Sequence, residues 1–505
     1  MSAYSKVAGP KTASRTLSAD EIRIQPLGFA NGWEYLYSSP YPDGRRTIIA
    51  GGRDRIVKLD TDSLAVIHTL PIGEGSLEPE ENYHRFVADM DRLVREVEQD
   101  PAALQTFLDR AYADLIPALQ TGAGTIYKIL SRDNTLYLTV RDLDSGQVFV
   151  EAYGDVNADE FESPLELKRR FPLPRGEGDP SIPMAVNMTF DGHVVVVTSD
   201  GRVFILSRDL ELKHSMTLPE ARAAAGNSAD WMAGIVRNGV SVDDEGGIYV
   251  VSRSHLHRVQ WTGESLSLEP EEGAWTMPYH SGVNGSGTTP TPIGWGEGAD
   301  HLLATLDGGD GVLVLWRDEI PLDWEGLEGY PRRVAGVAIL DLGDGTPADM
   351  HMEASPVASG YGFFWQNDTP KVPLPDQQSL SQKIFAKYSS VAVPKYQVTG
   401  GVKYEWDPKT RKLGKAWVTE TRFAPNICAP NVNGLLYCVG VRDHDYTIEV
   451  LDWETGGYVY HLVLGSSIRF NPMAVVTRIA PNGSIDTSSL GAGIMRISTR
   501  GIGAD

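Results

Sequence analysis

At 505 residues with a formal net charge of −22, the chain is long enough for several ordinary domains and strongly acidic. No dense Lys/Arg patch interrupts that charge, which disfavours phosphate backbones and anionic lipid surfaces, so neither nucleic acid nor membrane is an expected partner. No run of about 18 apolar residues occurs, and 52 Gly with 31 Pro suit a turn-rich all-β chain better than a helical one.

The N-terminal stretch, residues 1–19, is polar and reads as a flexible arm. No apolar segment follows its lysines, so no secretory signal is read. The chain is expected to be cytoplasmic as written, or secreted or periplasmic if a leader has been removed ahead of it.

From residue 20 onward one unit recurs. An extended run meets a turn of Asp, Asn or Gly, then β-branched and aromatic residues, then one or two amphipathic strands. The first complete unit is Asn31–Leu70, with a Pro-Asp-Gly turn at Pro42–Gly44. Further units run from Gly124, Met184, Asn238, Thr288, Met350 and Asn426. Spacings of roughly 40 to 60 residues are those of four-stranded blades around an axis, a β-propeller. The remnant Asn471–Thr499 holds three strands, and Asp20–Leu27 supplies a fourth with no other partner. Closing the last blade with an N-terminal strand removes both open edges of the ring. The reading is therefore a single eight-bladed propeller over residues 20–505, with seven blades as the alternative.

Two stretches depart from the pattern. Between residues 76 and 120 the apolar period becomes helical, with Tyr83, Phe86, Val87, Met90, Leu93, Val94 and Val97 on one face and Leu104, Phe107, Leu108, Tyr112, Leu115, Ile116 and Leu119 on another. Asp100–Pro101 marks a capped break between two helices. This hairpin is expected over one mouth of the propeller, as a lid, a buttress or a contact between copies in a homo-oligomer. Asp368–Gln382 reads as an irregular excursion. Cys428 and Cys438 flank an Asn433–Gly434 turn; a two-residue turn would pair Cys428 with Val439, so two buried free thiols are expected.

Aligning the residue that leads each inner strand gives Asn31, Asn238, Glu353, Asn426 and Asn471, with Ile182 and Thr289 in the same slot elsewhere. Inner strands converge on the axis, so one aligned slot becomes a ring. Neutral carbonyl oxygens with one carboxylate suit a hard divalent cation, calcium before magnesium. Asn at strand ends also closes turns, and that reading stays open. His280, in a Gly-rich loop, and His351, two residues before Glu353, lie where a blade mouth is expected and are candidates for a general base.

The segment N-G-V-S-V-D-D-E-G-G-I-Y-V-V-S (Asn238–Ser252) resembles the corresponding segment of the gluconolactonase, senescence-marker and strictosidine-synthase-like propellers. The resemblance implies a calcium-dependent lactonase-like hydrolase in which Asn238 and Glu353 hold the metal. This chain is longer, reads as more blades, and has no Asp matching that family's metal-side carboxylate. Two other propeller chemistries fit less well. A four-His iron site would need His193, His255, His257 and His301 in the inner slot, where none falls. A quinoprotein dehydrogenase would carry recurring Trp positions, which the 11 Trp do not show.

The expectation is a soluble, acidic propeller acting at its channel mouth on a small, largely uncharged lactone- or ester-like substrate, as a metal-assisted hydrolase. A non-catalytic propeller that binds a protein or small-molecule partner is the alternative, and a propeller oxidoreductase, lyase or isomerase the second.

Overall fold

The computed structural model describes residues 5–72, 77–120, 127–142, 144–175, 182–222, 234–282, 285–343, 352–424, 428–473 and 475–499. Among them the strands form seven hydrogen-bonded sheets, one of nine strands. The long sheet is two blades joined by a single pairing of Phe423 with Gly440. Eight blade units therefore surround the axis. No described helix is long and apolar enough to cross a membrane.

Blade 1 runs Tyr35–Tyr37, Thr47–Gly51, Arg55–Asp60 and Val66–Pro71, inner to outer. Blades 2 to 7 begin with Ile129–Leu130, Pro183–Met188, Ser241–Val242, Thr291–Ile293, Val357–Ser359 and Ala429–Pro430. The second strands are the driest. Val194–Thr198 is buried at every position, because in a blade both faces of this strand pack on neighbours. β-branched residues suit that place, being stiff and well fitted to a pleated surface.

Blade 8 consists of Arg478–Ile479, Ile485–Ser489 and Gly493–Ile497, completed by the N-terminal strand Ile22–Pro26. That strand pairs antiparallel from Ile22 with Ile497 to Pro26 with Gly493. The expected closure is present.

Residues ahead of this strand, expected to be a flexible arm, are bonded to blade 7 instead. Arg15–Thr16 adds a parallel strand beside Leu462–Val463. The Gly9 N–H donates to Asn431 Oδ1 at 3.3 Å, and the Tyr437 hydroxyl donates to the Pro10 carbonyl at 3.0 Å. The outer strand of blade 7 leaves backbone groups unpaired, and the polar arm satisfies them.

The cysteines also differ from expectation. Pro430 pairs with Leu436, so the hairpin loop holds residues 431–435 rather than two. The longer loop moves the register by one and sets Cys428 opposite Cys438, at a Cα separation of 4.5 Å, where they form a disulfide.

The helical hairpin is α1 (Glu80–Gln99) and α2 (Leu104–Gln120). Asp100 accepts the Ala102 N–H at 3.0 Å, with Pro101 at the first helical position. A third helix, α3 (Leu380–Ser390), lies between the second and third strands of blade 6; it begins at the end of the expected irregular excursion Asp368–Gln382 and runs past it. Its start is a capping box: Ser379 Oγ accepts the Gln382 N–H, and the Gln382 side chain accepts the Ser379 N–H.

The three helices share one apolar cluster with the segments that lead blades 1 and 8, including Phe29, Phe86, Leu108, Phe385 and Met473. Phe29 meets Phe86 edge-on at 5.0 Å, and Trp33 meets Phe385 at 5.5 Å. Asp91 on α1 accepts from Ser467 Oγ and from the Ile468 N–H, both at 2.7 Å. The helices thus cap the end of the channel at which the inner strands begin.

Candidate functional site

The residues that lead the inner strands do converge beneath the cap, but as charged pairs. Arg237, one residue before Asn238, reaches from blade 4 to Glu353 at the head of blade 6. Its Nη1 donates to both Glu353 oxygens at 2.8 Å, and Nη2 donates to the Gly285 carbonyl at 3.2 Å. The side chains are only 3 % and 6 % exposed. The Glu353 N–H donates to Asp368 Oδ2 at 2.9 Å, and Asp368 Oδ1 accepts from Lys387 of α3 at 2.8 Å. Blades 4 and 6 and the cap are thus tied by two ion pairs in series.

Beside them lie two tyrosines. The Tyr127 hydroxyl is bonded to Thr289 and to the Gly239 backbone, on blades 5 and 4, although Tyr127 itself leads blade 2. The ring lies so close to Gly239 that a Cβ there would meet it at 2.9 Å, so only glycine fits. Burial pushes the hydroxyls of Tyr127 and Tyr388 above the ordinary tyrosine range. The charges of Asp368 and Glu353 add to the effect at Tyr388.

Further along the axis, Glu34, Lys128 and Arg478 lead or open the inner strands of blades 1, 2 and 8. Arg478 Nη2 pairs with Glu34 Oε1 at 2.8 Å. Lys128 is 2 % exposed. It feels both of those charges, on two blades other than its own, so its side chain faces the axis. Burial pulls its ammonium down to about 8; the Glu34 carboxylate opposes that shift and the Arg478 guanidinium adds to it. Among the described residues its Nζ has no hydrogen-bond acceptor and no ion-pair partner. The charges of both Glu34 and Glu353 act on Tyr127, so it lies within electrostatic reach of both levels.

The expected oxygen ring is occupied otherwise. Asn31 Nδ2 donates to the Leu27 carbonyl at 3.0 Å and to Asp54 Oδ1 at 2.7 Å, while its oxygen accepts the Arg53 N–H at 2.9 Å. Asn238 Nδ2 donates to the Ser286 carbonyl at 2.8 Å. Asn471 Nδ2 donates to the Tyr388 carbonyl at 2.9 Å, and its oxygen accepts the Met473 N–H at 2.9 Å. These asparagines tie leading segments to their neighbours. Glu353 gives both oxygens to Arg237, so a cation there would have to displace a guanidinium. The donor set as arranged does not fit a divalent ion, and the described residues contain no group of three or more His, Cys, Asp or Glu able to hold one. Asn426 and His351 lie outside the described residues. His280 is exposed between blades 4 and 5, with its carbonyl bonded to the Gly308 N–H.

The other histidines do not gather. His255 and His257 share Glu220 at 2.8 and 2.9 Å, His193 pairs with Asp191 at 3.1 Å, and His301 pairs with Asp318 at 2.5 Å. Two cavities, of about 330 and 500 Å³, flank the hairpin. Neither is lined by the axial charges.

Arg237, Lys128, Asp368 and Lys387 were not singled out from sequence. A charge directly ahead of an aligned Asn slot was the signal for Arg237, and the Ser379–Gln382 capping box was the signal for the helix carrying Lys387.

No family model matches the chain. It is 29 % identical over 357 residues, 68 % of its length, to an uncharacterized protein of Archaeoglobus fulgidus, and the match spans 65 % of that protein. A quinohemoprotein alcohol dehydrogenase from Pseudomonas putida HK5 superposes at a TM-score of 0.50 and 11 % identity, covering 98 % of this chain and 78 % of that one. A europium-containing methanol dehydrogenase gives 0.50 and 10 %, covering 98 % and 95 %. At such identities the likeness is one of fold, the β-propeller.

Proposed function

We propose that this propeller is an enzyme acting on a small, uncharged, polar carbonyl compound held in the axial chamber beneath the helical cap. The observation that carries the reading is the Arg237–Glu353 pair, buried where three structural elements meet. A buried ion pair is weak support for a fold, since well-packed apolar residues of similar volume often serve as well or better. Clusters of buried, charge-coupled groups are instead common where ligands are bound and transformed.

The ligand class follows from charge. Glu34, Glu353 and Asp368 are matched by Arg478, Arg237 and Lys387, so a cationic ligand would find no free carboxylate among them. Polar carbonyl compounds meet donors without needing one. The resemblance of Asn238–Ser252 to lactonase propellers brings lactones and esters into the class. Calcium is not required by this reading, because Glu353 is already neutralised.

The test is a thermal-shift titration with glycolaldehyde, dihydroxyacetone and δ-gluconolactone, comparing the parent with the double variant R237M/E353L. Removing both partners strands neither charge without the other. The expected result is that at least one compound raises the parent's melting temperature with saturation and leaves the double variant unmoved. Equal shifts in both proteins, or none in the parent, would overturn the reading.

A further inference from the structure

Four lysines in the described chain are buried: Lys58, Lys128, Lys387 and Lys403. Three have carboxylate partners. Lys58 pairs with Asp155 at 2.5 Å, Lys387 with Asp368 at 2.8 Å, and Lys403 with Glu405 at 2.7 Å. Lys128 has none among the described residues, and it alone of the four stands at the head of an inner strand. An ammonium taken out of bulk water without a partner is costly, and burial lowers the pH at which such a group gives up its proton.

We infer that Lys128 is a nucleophile that forms an imine with an aldehyde or ketone in the axial chamber, an inference that rests on the function proposed above. A lysine amine is a useful nucleophile only when neutral, and desolvation is a recognised way to make it so. The depressed ammonium of Lys128 is consistent with that requirement. The charged groups acting on it are Glu34 on blade 1 and Arg478 on blade 8, with Tyr127 preceding it in the segment that leads blade 2. Glu34 and Arg478 neutralise each other, so neither fixes the lysine as a cation.

The reaction balances without an oxidant or reductant. The Nζ lone pair forms a bond to the carbonyl carbon, and the C=O π pair moves to oxygen, which takes up a proton from nitrogen. A second proton converts that hydroxyl to water. The C–O bond breaks as the nitrogen lone pair makes the C=N bond, and the remaining N–H proton returns to replace the one consumed. One amine and one carbonyl give one imine and one water.

The experiment traps the imine. The full chain is incubated with glycolaldehyde and sodium cyanoborohydride, then read by intact mass and peptide mapping, beside K128M checked for parent-like circular dichroism. The expected result is a saturable single adduct on the Ile126–Ile129 region at Lys128, at least tenfold above any other lysine, and absent from K128M. An adduct spread over surface lysines to the same extent in both proteins, or no adduct in the parent, would overturn the inference. Because the thermal-shift titration reads binding without reduction, a parent that binds but is not trapped refutes the imine alone.

Discussion

Two buried lysines, one in the seam between blades 1 and 2 and one on the axis, are treated in opposite ways. Lys58 sits 0 % exposed in the third strand of blade 1. It donates to Asp155 at 2.5 Å and to the Ser163 carbonyl at 3.0 Å, and Asp155 also accepts from the Tyr41 hydroxyl at 2.6 Å. Lys58, Asp155 and Tyr41 thus each have a partner in that seam, and the ion pair binds one blade to the next. Lys128, 2 % exposed, has no acceptor among the described residues. The contrast separates charges that assemble the ring from a charge held ready in its centre.

The seams carry the stability, and the largest effect is expected where one of them is opened. Deleting residues 1–28 removes the outer strand of blade 8 and the parallel strand on blade 7. A fall in melting temperature of more than about 10 °C is expected, given that each kcal/mol moves a large domain by about 2–4 °C. A truncated chain that melts with the parent would show that closure is not needed.

Asp155→Ala should come next. It strands the Lys58 ammonium in a dry seam, and breaking a buried pair from one side destabilises by about 3–5 kcal/mol. Urea denaturation measures this; a change close to zero would mean that water enters the seam. Tyr41→Phe keeps the ion pair and removes one bond to the carboxylate, so about 2 kcal/mol is expected in the same assay. An effect as large as that of Asp155→Ala would place the weight on the hydroxyl instead.

Much of this architecture was legible in the residues. Turn-bounded strands of β-branched residues marked each blade, and an orphan strand at Asp20–Leu27 opposite a three-stranded remnant marked the closure. The helical period of residues 78–119 marked the hairpin. What escaped depends on register and on distance in sequence. The pairing of Cys428 with Cys438 turns on the length of one hairpin loop, which shifts every partner by one position. Arg237 and Glu353 are 116 residues apart, and only the geometry of the ring brings them together. An aligned slot identified which segments reach the axis. It could not tell that the asparagines there bond to backbone while the residue beside one of them carries the charge. Lys128 looked like any polar residue leading a strand.

The melting temperature of K128M against pH tests the central contrast most directly. An ammonium whose folded value is about 8, against an ordinary 10.5, binds its proton more tightly in the unfolded chain. Its burial therefore opposes folding fully below about pH 8, and that opposition is relieved as the pH rises from about 8 to 10.5. K128M is expected to melt above the parent at pH 7, with the gap closing across that window. A variant that melts below the parent at every pH would mean that Lys128 is a partnered, structural lysine like Lys58.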